Sequence, residues 1–275
     1  MPERKVRVRY APSPTGEPHV GNIRTALFDW LFARHTGGDF IIRVEDTDQA
    51  RRVDGAIELQ KESLRWLKLD WDEGLEKRGE FGPYIQSERL EYYETAVSQL
   101  IESGAAYKCF CTSERLESLR QTQRQQKNSR LGYDGKCRFL KKDESQSMEA
   151  QSIPFVIRFL MPDDGISKID DLVRGTIEFE NNLVEDFVIL KADGFPTYHL
   201  ASVVDDHYMD ITHVFRGEEW VSSIPRHVQI YRALNWDTPA YAHLPAILGP
   251  DKTKLSKRHG ATSVLEYKKK GYLPD

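Results

Sequence analysis

Two stretches of this 275-residue chain carry residue types at spacings that suit phosphate chemistry. The first is PSPTGEPHVGN, from Pro12 to Asn22. Its prolines, with Gly16 and Gly21, pin a tight loop between a strand and the start of a helix. A helix start presents unpaired N–H groups and a partial positive charge, so it favours bound phosphate. The two glycines have P-loop spacing, but Asn22-Ile23 stands where a P-loop needs Lys-Ser/Thr. No G-x-G-x-x-G occurs either, which removes the dinucleotide fingerprint. His19 falls one turn before the helix proper, where an imidazole N–H reaches a phosphate oxygen. By itself this loop predicts anion binding and nothing narrower.

The second stretch, DKTKLSKRHG, holds Lys254, Ser256, Lys257 and Arg258 between Gly249-Pro250 and Gly260. Cations and a hydroxyl on a glycine-flanked loop can close over a triphosphate and stabilise departing pyrophosphate. The net charge of −4 hides this. From Thr112 to Lys142 nine Lys/Arg face three Asp/Glu, and from Lys252 to Lys270 seven face one, each a net +6. Two basic segments in a mildly acidic protein suit either phosphates or solvated helix faces and loops, and charge alone does not decide between them.

The elements that must position these loops follow from periodicity. Lys5–Tyr10 alternates as a strand, a helix fits Asn22–Thr36 with Ile23, Leu27, Trp30 and Leu31 on one face, and Gly37-Gly38 ends it. Phe40–Glu45 reads as a buried strand, and Asp54 is placed to cap a helix facing inward with Ile57, Leu64 and Leu67. Another helix fits Ser87–Ser103, with Leu90, Tyr93, Val97 and Leu100 at helical spacing. Strand, glycine turn, helix, strand is the grammar of a parallel sheet with crossover helices. After Gly104 the style changes. All three cysteines, a basic Gln/Arg-rich run and the strand-like PFVIRFLM, TIEFE and FVILK follow, before ITHVFRGEEW, Ser222–Leu234 and HLPAIL restore strand, helix, strand. The middle third reads as an insertion.

The same composition excludes other classes. No apolar run reaches 18 residues and the N-terminal stretch lacks a signal-type apolar segment. Three cysteines cannot build a disulfide scaffold, and the odd count fits a reducing, cytoplasmic setting.

Together, PSPTGxxHxGN and the late KLSKR resemble the two signature sequences of class I aminoacyl-tRNA synthetases. RVEDTD, GPYIQSERLEYY, YKCFC, YDGKCR, DGFPTYHLASVVDDH and FRGEEW resemble the glutamyl branch along nearly the whole chain. The resemblance implies an α/β fold: a Rossmann-type nucleotide-binding sheet split by an α+β insertion that grips the tRNA acceptor end. The implied divisions are 1–103, the insertion 104–194, the second half 195–250, and 251–275 as KLSKR loop and start of a stem-contact region, without an anticodon-binding domain. It implies a monomer that joins L-glutamate to tRNA(Glu) through glutamyl-adenylate, using ATP and Mg²⁺.

Site residues carry over on the same terms. Pro12, Ser13, Thr15, Gly16, His19, Gly21, Asn22 and Lys257 are implied to hold ATP. His19, Lys254, Lys257 and Arg258 are implied to act on the transferring phosphate. Asn22 stands where the generic signature has a second histidine. Arg9, Ser13, Glu45, Tyr198, Ser202 and Arg216 are implied to surround glutamate, although the family often has asparagine at the position of Ser202. Cys109, Cys111 and Cys137 resemble the zinc-binding insertion of some members. The histidine expected there is Phe139, and resemblance to the related glutamyl-Q enzymes implies Tyr133, four residues before Cys137, as the fourth ligand. The alternative is three free structural cysteines. Arg120, Arg124 and Lys127 are expected to meet tRNA phosphates. The competing readings are a glutamyl-Q tRNA(Asp) synthetase, a small-molecule nucleotidyltransferase, and a tRNA-binding module without activity.

Overall fold

The computed structural model describes residues 4–126, 132–255 and 262–274. The chain opens with β1 (Arg7–Tyr10), α1 (Val20–Thr36) and β2 (Asp39–Ile42), and β1 and β2 pair in parallel with Val8 opposite Phe40. A parallel pair must be bridged by a crossover, and α1 is that crossover. Gly37 ends α1 in the left-handed region at φ 66°, and a Cβ on Gly38 would lie 2.4 Å from the carbonyl oxygen of Val6. Only glycine lets the chain turn so close beneath the strand.

Then come α2 (Ala56–Trp66) and α3 (Leu90–Glu102), followed by β3 (Ala106–Cys109), α4 (Ser113–Gln125), α5 (Lys142–Ala150), β4 (Val156–Phe159), β5 (Ile166–Asp171), β6 (Gly175–Glu180) and β7 (Val188–Leu190). These middle strands pair antiparallel, in the order β3-β4-β7 and as the hairpin β5-β6. The parallel grammar returns with α6 (Tyr198–Tyr208), β8 (His213–Gly217), α7 (Ile224–Ala233) and β9 (Ala240–Leu244), β8 pairing in parallel with β9. β1 lies beside β8, joined at one end by the Thr212 N–H donating to the Arg7 carbonyl at 3.0 Å. A short α8 (Val264–Lys269) follows. No helix among the described residues is long and apolar enough to cross a membrane.

The middle stretch does not carry a core of its own. Ala106, Ile157, Phe159, Phe187 and Ile189 pack in one cluster with Tyr93, Val97 and Leu100 of α3 and with the buried side of α6. Ile169 of β5 packs instead with Ile41, Val214, Val228 and Tyr241 beneath the parallel strands. Leu90, Tyr93, Val97 and Leu100 do form the packed side of α3, as their spacing predicts.

Four details differ from the sequence reading. In α1 the buried stripe is Ile23, Ala26, Asp29 and Ala33, while Leu27 and Leu31 are exposed. Small alanines let the helix lie close on the strands, and periodicity counted over large side chains picks the wrong face. Asp54 caps nothing, because Gly55 occupies the cap of α2 at φ 78° without a side-chain bond. On α2 Leu64 is fully buried, whereas Ile57 and Leu67 are only partly covered. The last parallel strand ends at Leu244 rather than running through HLPAIL, since Pro245 has no N–H to continue the ladder.

Candidate active site

A cavity of about 750 Å³ opens over the ends of β1 and β8 and the start of α1. Pro12, Ser13, Thr15, His19, Gly21 and Asn22 line one side. Gly16 does not line it. At φ 134° it bends the loop that puts its neighbours there. His19 caps α1, and its Nδ1 accepts the Gly21 N–H at 3.0 Å. With Nδ1 an acceptor, the neutral ring carries its proton on Nε2, free to donate. Burial, then the nearby Lys254 ammonium, hold His19 below the usual histidine range. The first turn of α1 contains no acid to offset the positive pole of this 17-residue helix. Its Val20 N–H is held at 2.7 Å by the carbonyl of Thr262, which ties the helix start to the segment after the basic loop.

That basic loop springs from a small ladder in which the Leu255 N–H donates to Ile247 at 2.8 Å. Lys254 lines the cavity and pairs with Glu219 at 2.9 Å. Lys257 and Arg258 lie outside the described residues, as does Lys127.

The opposite side of the cavity holds Arg9, Glu45, Tyr198, Arg216 and Trp220. Arg216 is buried, donates through Nη1 to the Tyr198 hydroxyl at 3.2 Å, and leaves Nη2 without a partner. An uncompensated buried guanidinium nitrogen is costly unless a ligand supplies an acceptor. Glu45, 10% exposed, accepts from Arg43 Nη2 at 3.1 Å and is pushed up by burial against the pull of Arg43. Ser202 departs from its expected place. It sits in the fully buried middle of α6 between Ala201 and Val203, does not line the cavity, and its hydroxyl has no partner.

Arg9 lines the cavity but is already paired. Its Nε and Nη2 donate to Asp206 at 2.9 and 3.3 Å, and Nη1 reaches the Phe215 carbonyl only at 3.4 Å. Asp206 also accepts from Arg43 Nη1 at 2.8 Å. Beside it Asp205 accepts from Arg89 Nε at 2.7 Å, Gln86 Nε2 at 2.8 Å and the Tyr93 hydroxyl at 2.9 Å. Two adjacent acids of α6 thus neutralise three buried arginines from β1, the end of β2 and the start of α3. Burial opposes ionisation of Asp206, yet Arg9 and Arg43 hold its carboxyl below the usual range. Sequence reasoning gave these acids no role. The signal was there in two consecutive carboxylates directly after LASVV (Leu200–Val204), which must find cations when buried.

A second polar centre lies in the middle stretch. The Sγ atoms of Cys109, Cys111 and Cys137 all lie within 4.8 Å of one another, with Cys111 and Cys137 3.6 Å apart. The Tyr133 hydroxyl is 3.4 Å from Cys109 Sγ, 3.9 Å from Cys111 Sγ, and accepts the Cys137 N–H at 2.8 Å. Metal–sulfur bonds near 2.3 Å in a tetrahedron separate sulfurs by about 3.8 Å, and a phenolate oxygen would sit about 3.5 Å from each sulfur. The three sulfurs and the hydroxyl are grouped compatibly with such a site, although burial opposes ionisation of the Tyr133 phenol. Burial disfavours the Cys109 thiolate, but the Tyr133 hydroxyl, the Cys111 N–H and Arg158 outweigh it and hold this thiol below its usual range. Burial pushes Cys111 up to about 11. Arg158 stacks 3.8 Å above the Tyr133 ring. Phe139 points away, 82% exposed. From this centre α4 leads out, capped by Thr112, with Arg120 and Arg124 on its exposed surface.

Residues 5–275 match the family described as tRNA synthetases class I (E and Q), catalytic domain. A glutamate–tRNA ligase of Dehalococcoides mccartyi strain CBDB1 is 58% identical over 271 residues, 98% of this chain and 54% of its own length. One from Clostridioides difficile strain 630 is 51% identical over 278 residues, 98% of this chain and 56% of its own. The crystal structure of glutamate-tRNA synthetase from Elizabethkingia anophelis superposes with a TM-score of 0.92 at 42% identity, covering 98% of this chain and 59% of that one. The chain spans about half the length of the curated relatives it matches. With a matched family over nearly its full length and a Rossmann-type arrangement of parallel strands, the chain belongs to the class I tRNA synthetases (E and Q), whose catalytic domain it carries.

Proposed function

We propose that this chain activates L-glutamate with ATP and passes the glutamyl group to the terminal ribose of tRNA(Glu). The observation that carries the reading is the polarity of the cavity. One end offers the positive pole of α1 and the Nε2 donor of His19, the other the guanidinium of Arg216, one nitrogen of which has no partner, and the carboxylate of Glu45. A triphosphate suits the first end. A substrate bearing both carboxylate and ammonium suits the second.

In this reading the α-carboxylate of glutamate attacks the α-phosphorus of ATP, the bond to pyrophosphate breaks, and glutamyl-adenylate forms. The ribose hydroxyl of tRNA then attacks the glutamyl carbonyl and releases AMP. Neither step needs a protein nucleophile, so catalysis rests on alignment and charge stabilisation. His19 through Nε2, with the cavity-lining Pro12, Ser13, Thr15, Gly21 and Asn22, holds the nucleotide, and Gly16 shapes the loop that presents them. Lys254, with Lys257 and Arg258, offsets charge on the leaving pyrophosphate. Mg²⁺ arrives on the ATP phosphates as part of the nucleotide substrate. Ser13, Glu45, Tyr198 and Arg216 face the amino acid directly. Arg9, tied to Asp206, gives positive potential from behind, and Ser202 is left out.

We assign residues 104–194 to the tRNA acceptor end and the flanking segments to the nucleotide fold, in the divisions given above. Cys109, Cys111, Cys137 and Tyr133 would hold zinc, which when bound ties the end of β3 to the turn at 133–137. The cavity is built by one chain, which suits a monomer, and its reaction belongs in the cytoplasm with protein synthesis. An aminoacylation assay tests the reading. Radiolabelled glutamate should appear on the 3′ adenosine of tRNA(Glu). Label on queuosine of tRNA(Asp) instead would replace this function with the glutamyl-Q reaction.

A further inference from the structure

Arg216 reaches the cavity at the end of a buried chain of polar contacts that begins in the β5-β6 hairpin. Asp171, the last residue of β5, accepts the N–H groups of Val173 and Arg174 through Oδ1, each at 3.0 Å, and so shapes the turn into β6. The same carboxylate accepts the N–H of His243, and its Oδ2 lies 2.6 Å from His243 Nδ1. Across the ring, His243 Nε2 accepts from Arg216 Nε at 2.8 Å. Asp171 and His243 have no exposed side-chain surface.

Only one arrangement of protons satisfies this chain. An Arg Nε–H can only donate, so His243 Nε2 must be the acceptor and the ring proton must sit on Nδ1, facing Asp171. The groups around His243 are Asp171, the guanidinium groups of Arg216 and Arg174, and the Tyr241 ring stacked at 5.8 Å. Burial, then Arg216, keep the imidazole neutral despite Asp171.

We propose that Asp171 and His243 are positioning residues for Arg216, which lock the plane of its guanidinium where it lines the amino-acid end of the cavity. Nε fixed by His243 and Nη1 by Tyr198 are two anchors on a rigid planar group, and two anchors define its plane. Asp171 belongs to the middle stretch, while His243 and Arg216 belong to the β8-β9 pair. The hairpin therefore helps set the geometry of the amino-acid end of the cavity. Its substrate half rests on the proposed function.

The test uses the whole chain, its His243→Leu, His243→Gln and Asp171→Asn variants, and two readouts. The first is nitrogen NMR of the ring and of the Arg216 Nε–H at neutral pH, with no substrate added. His243 should be neutral and protonated on Nδ1, and the Arg216 Nε–H should be protected from exchange, lost in H243L and kept in H243Q, whose amide oxygen can accept. A ring protonated on Nε2, or a charged ring, would overturn the proposal. The second is ATP–pyrophosphate exchange with tRNA present. H243L should raise KM for glutamate by roughly 10- to 100-fold, the scale of a misplaced contact group, with KM for ATP within about twofold. H243Q should recover most of the loss and D171N should fall between. Unchanged glutamate KM in H243L, or equal rises for both substrates, would also overturn it. Where H243L does not fold, D171N and H243Q carry both readouts. A wild-type chain that ignores glutamate would overturn the reading of the cavity, while the tautomer would still decide the positioning claim.

Discussion

The cavity collects its polar side chains from positions 9 to 254 and fixes them with buried ion pairs, whereas the cysteine centre gathers four donors from the stretch 109–137 around sulfur and a phenol. In the first, arginines and carboxylates neutralise one another inside the fold, so the geometry stands without a ligand. In the second, three thiols and a hydroxyl face one another, and a cation would complete the arrangement. The contrast separates a site preformed by folding from one finished by what it binds.

Removing Asp206 should break the first plan most severely. D206A leaves Arg9 and Arg43 buried without their shared carboxylate, and should lose about 3–5 kcal/mol of stability in urea denaturation. An effect under about 1 kcal/mol would mean the network does not hold the cavity. Cys137→Ser tests the second plan. Bound zinc, measured by elemental analysis after gentle purification, should fall from one equivalent toward none. Amide exchange should rise at β3 and residues 132–140 while β1 and β8 stay protected. Equal loosening of both regions would erase the distinction.

The buried histidines offer a gentler probe. Burial, then Arg226 and Arg216, push His199 down to about 3, and His227, which it contacts at 3.2 Å, is also lowered by burial. An unfolded histidine titrates near 6.5. Between those values the unfolded chain binds more protons, so these histidines contribute stability above pH 6.5 that is lost progressively as pH falls toward 3. His199→Gln should flatten the loss between pH 6.5 and 5, read as denaturation midpoints. The smallest effect is expected at the surface of α4. Arg120→Glu and Arg124→Glu should each reduce the salt slope of tRNA binding by about 1, with little change in stability. An unchanged slope would remove this helix from the tRNA surface.

The same contrast explains what was legible in the sequence. The three cysteines stood out because they are close in the chain and chemically conspicuous, but their reading as a centre with Tyr133 came through resemblance. The loop at Pro12–Asn22 was legible because proline, glycine and a following helix have local consequences. Arg9, Glu45 and Arg216 came only through resemblance, since nothing local distinguishes a cavity arginine from a surface one. Asp205, Asp206, Asp171 and His243 were missed because their partners lie on other elements, and pairing across elements leaves no periodic trace. The alternation of strand and helix predicted the parallel pairs, but β3 and β5 escaped notice, being short and mixed in polarity.

The central claim is that the cavity couples a triphosphate end to an amino-acid end read by Arg216. ATP–pyrophosphate exchange with cognate tRNA present tests it most directly. Exchange should require glutamate, reject glutamine, and fall by roughly 100-fold or more in Arg216→Ala, the scale of losing one charge-stabilising contact in a preorganised site. Exchange that is absent with tRNA(Glu), or that proceeds equally with glutamine or without Arg216, would contradict the account.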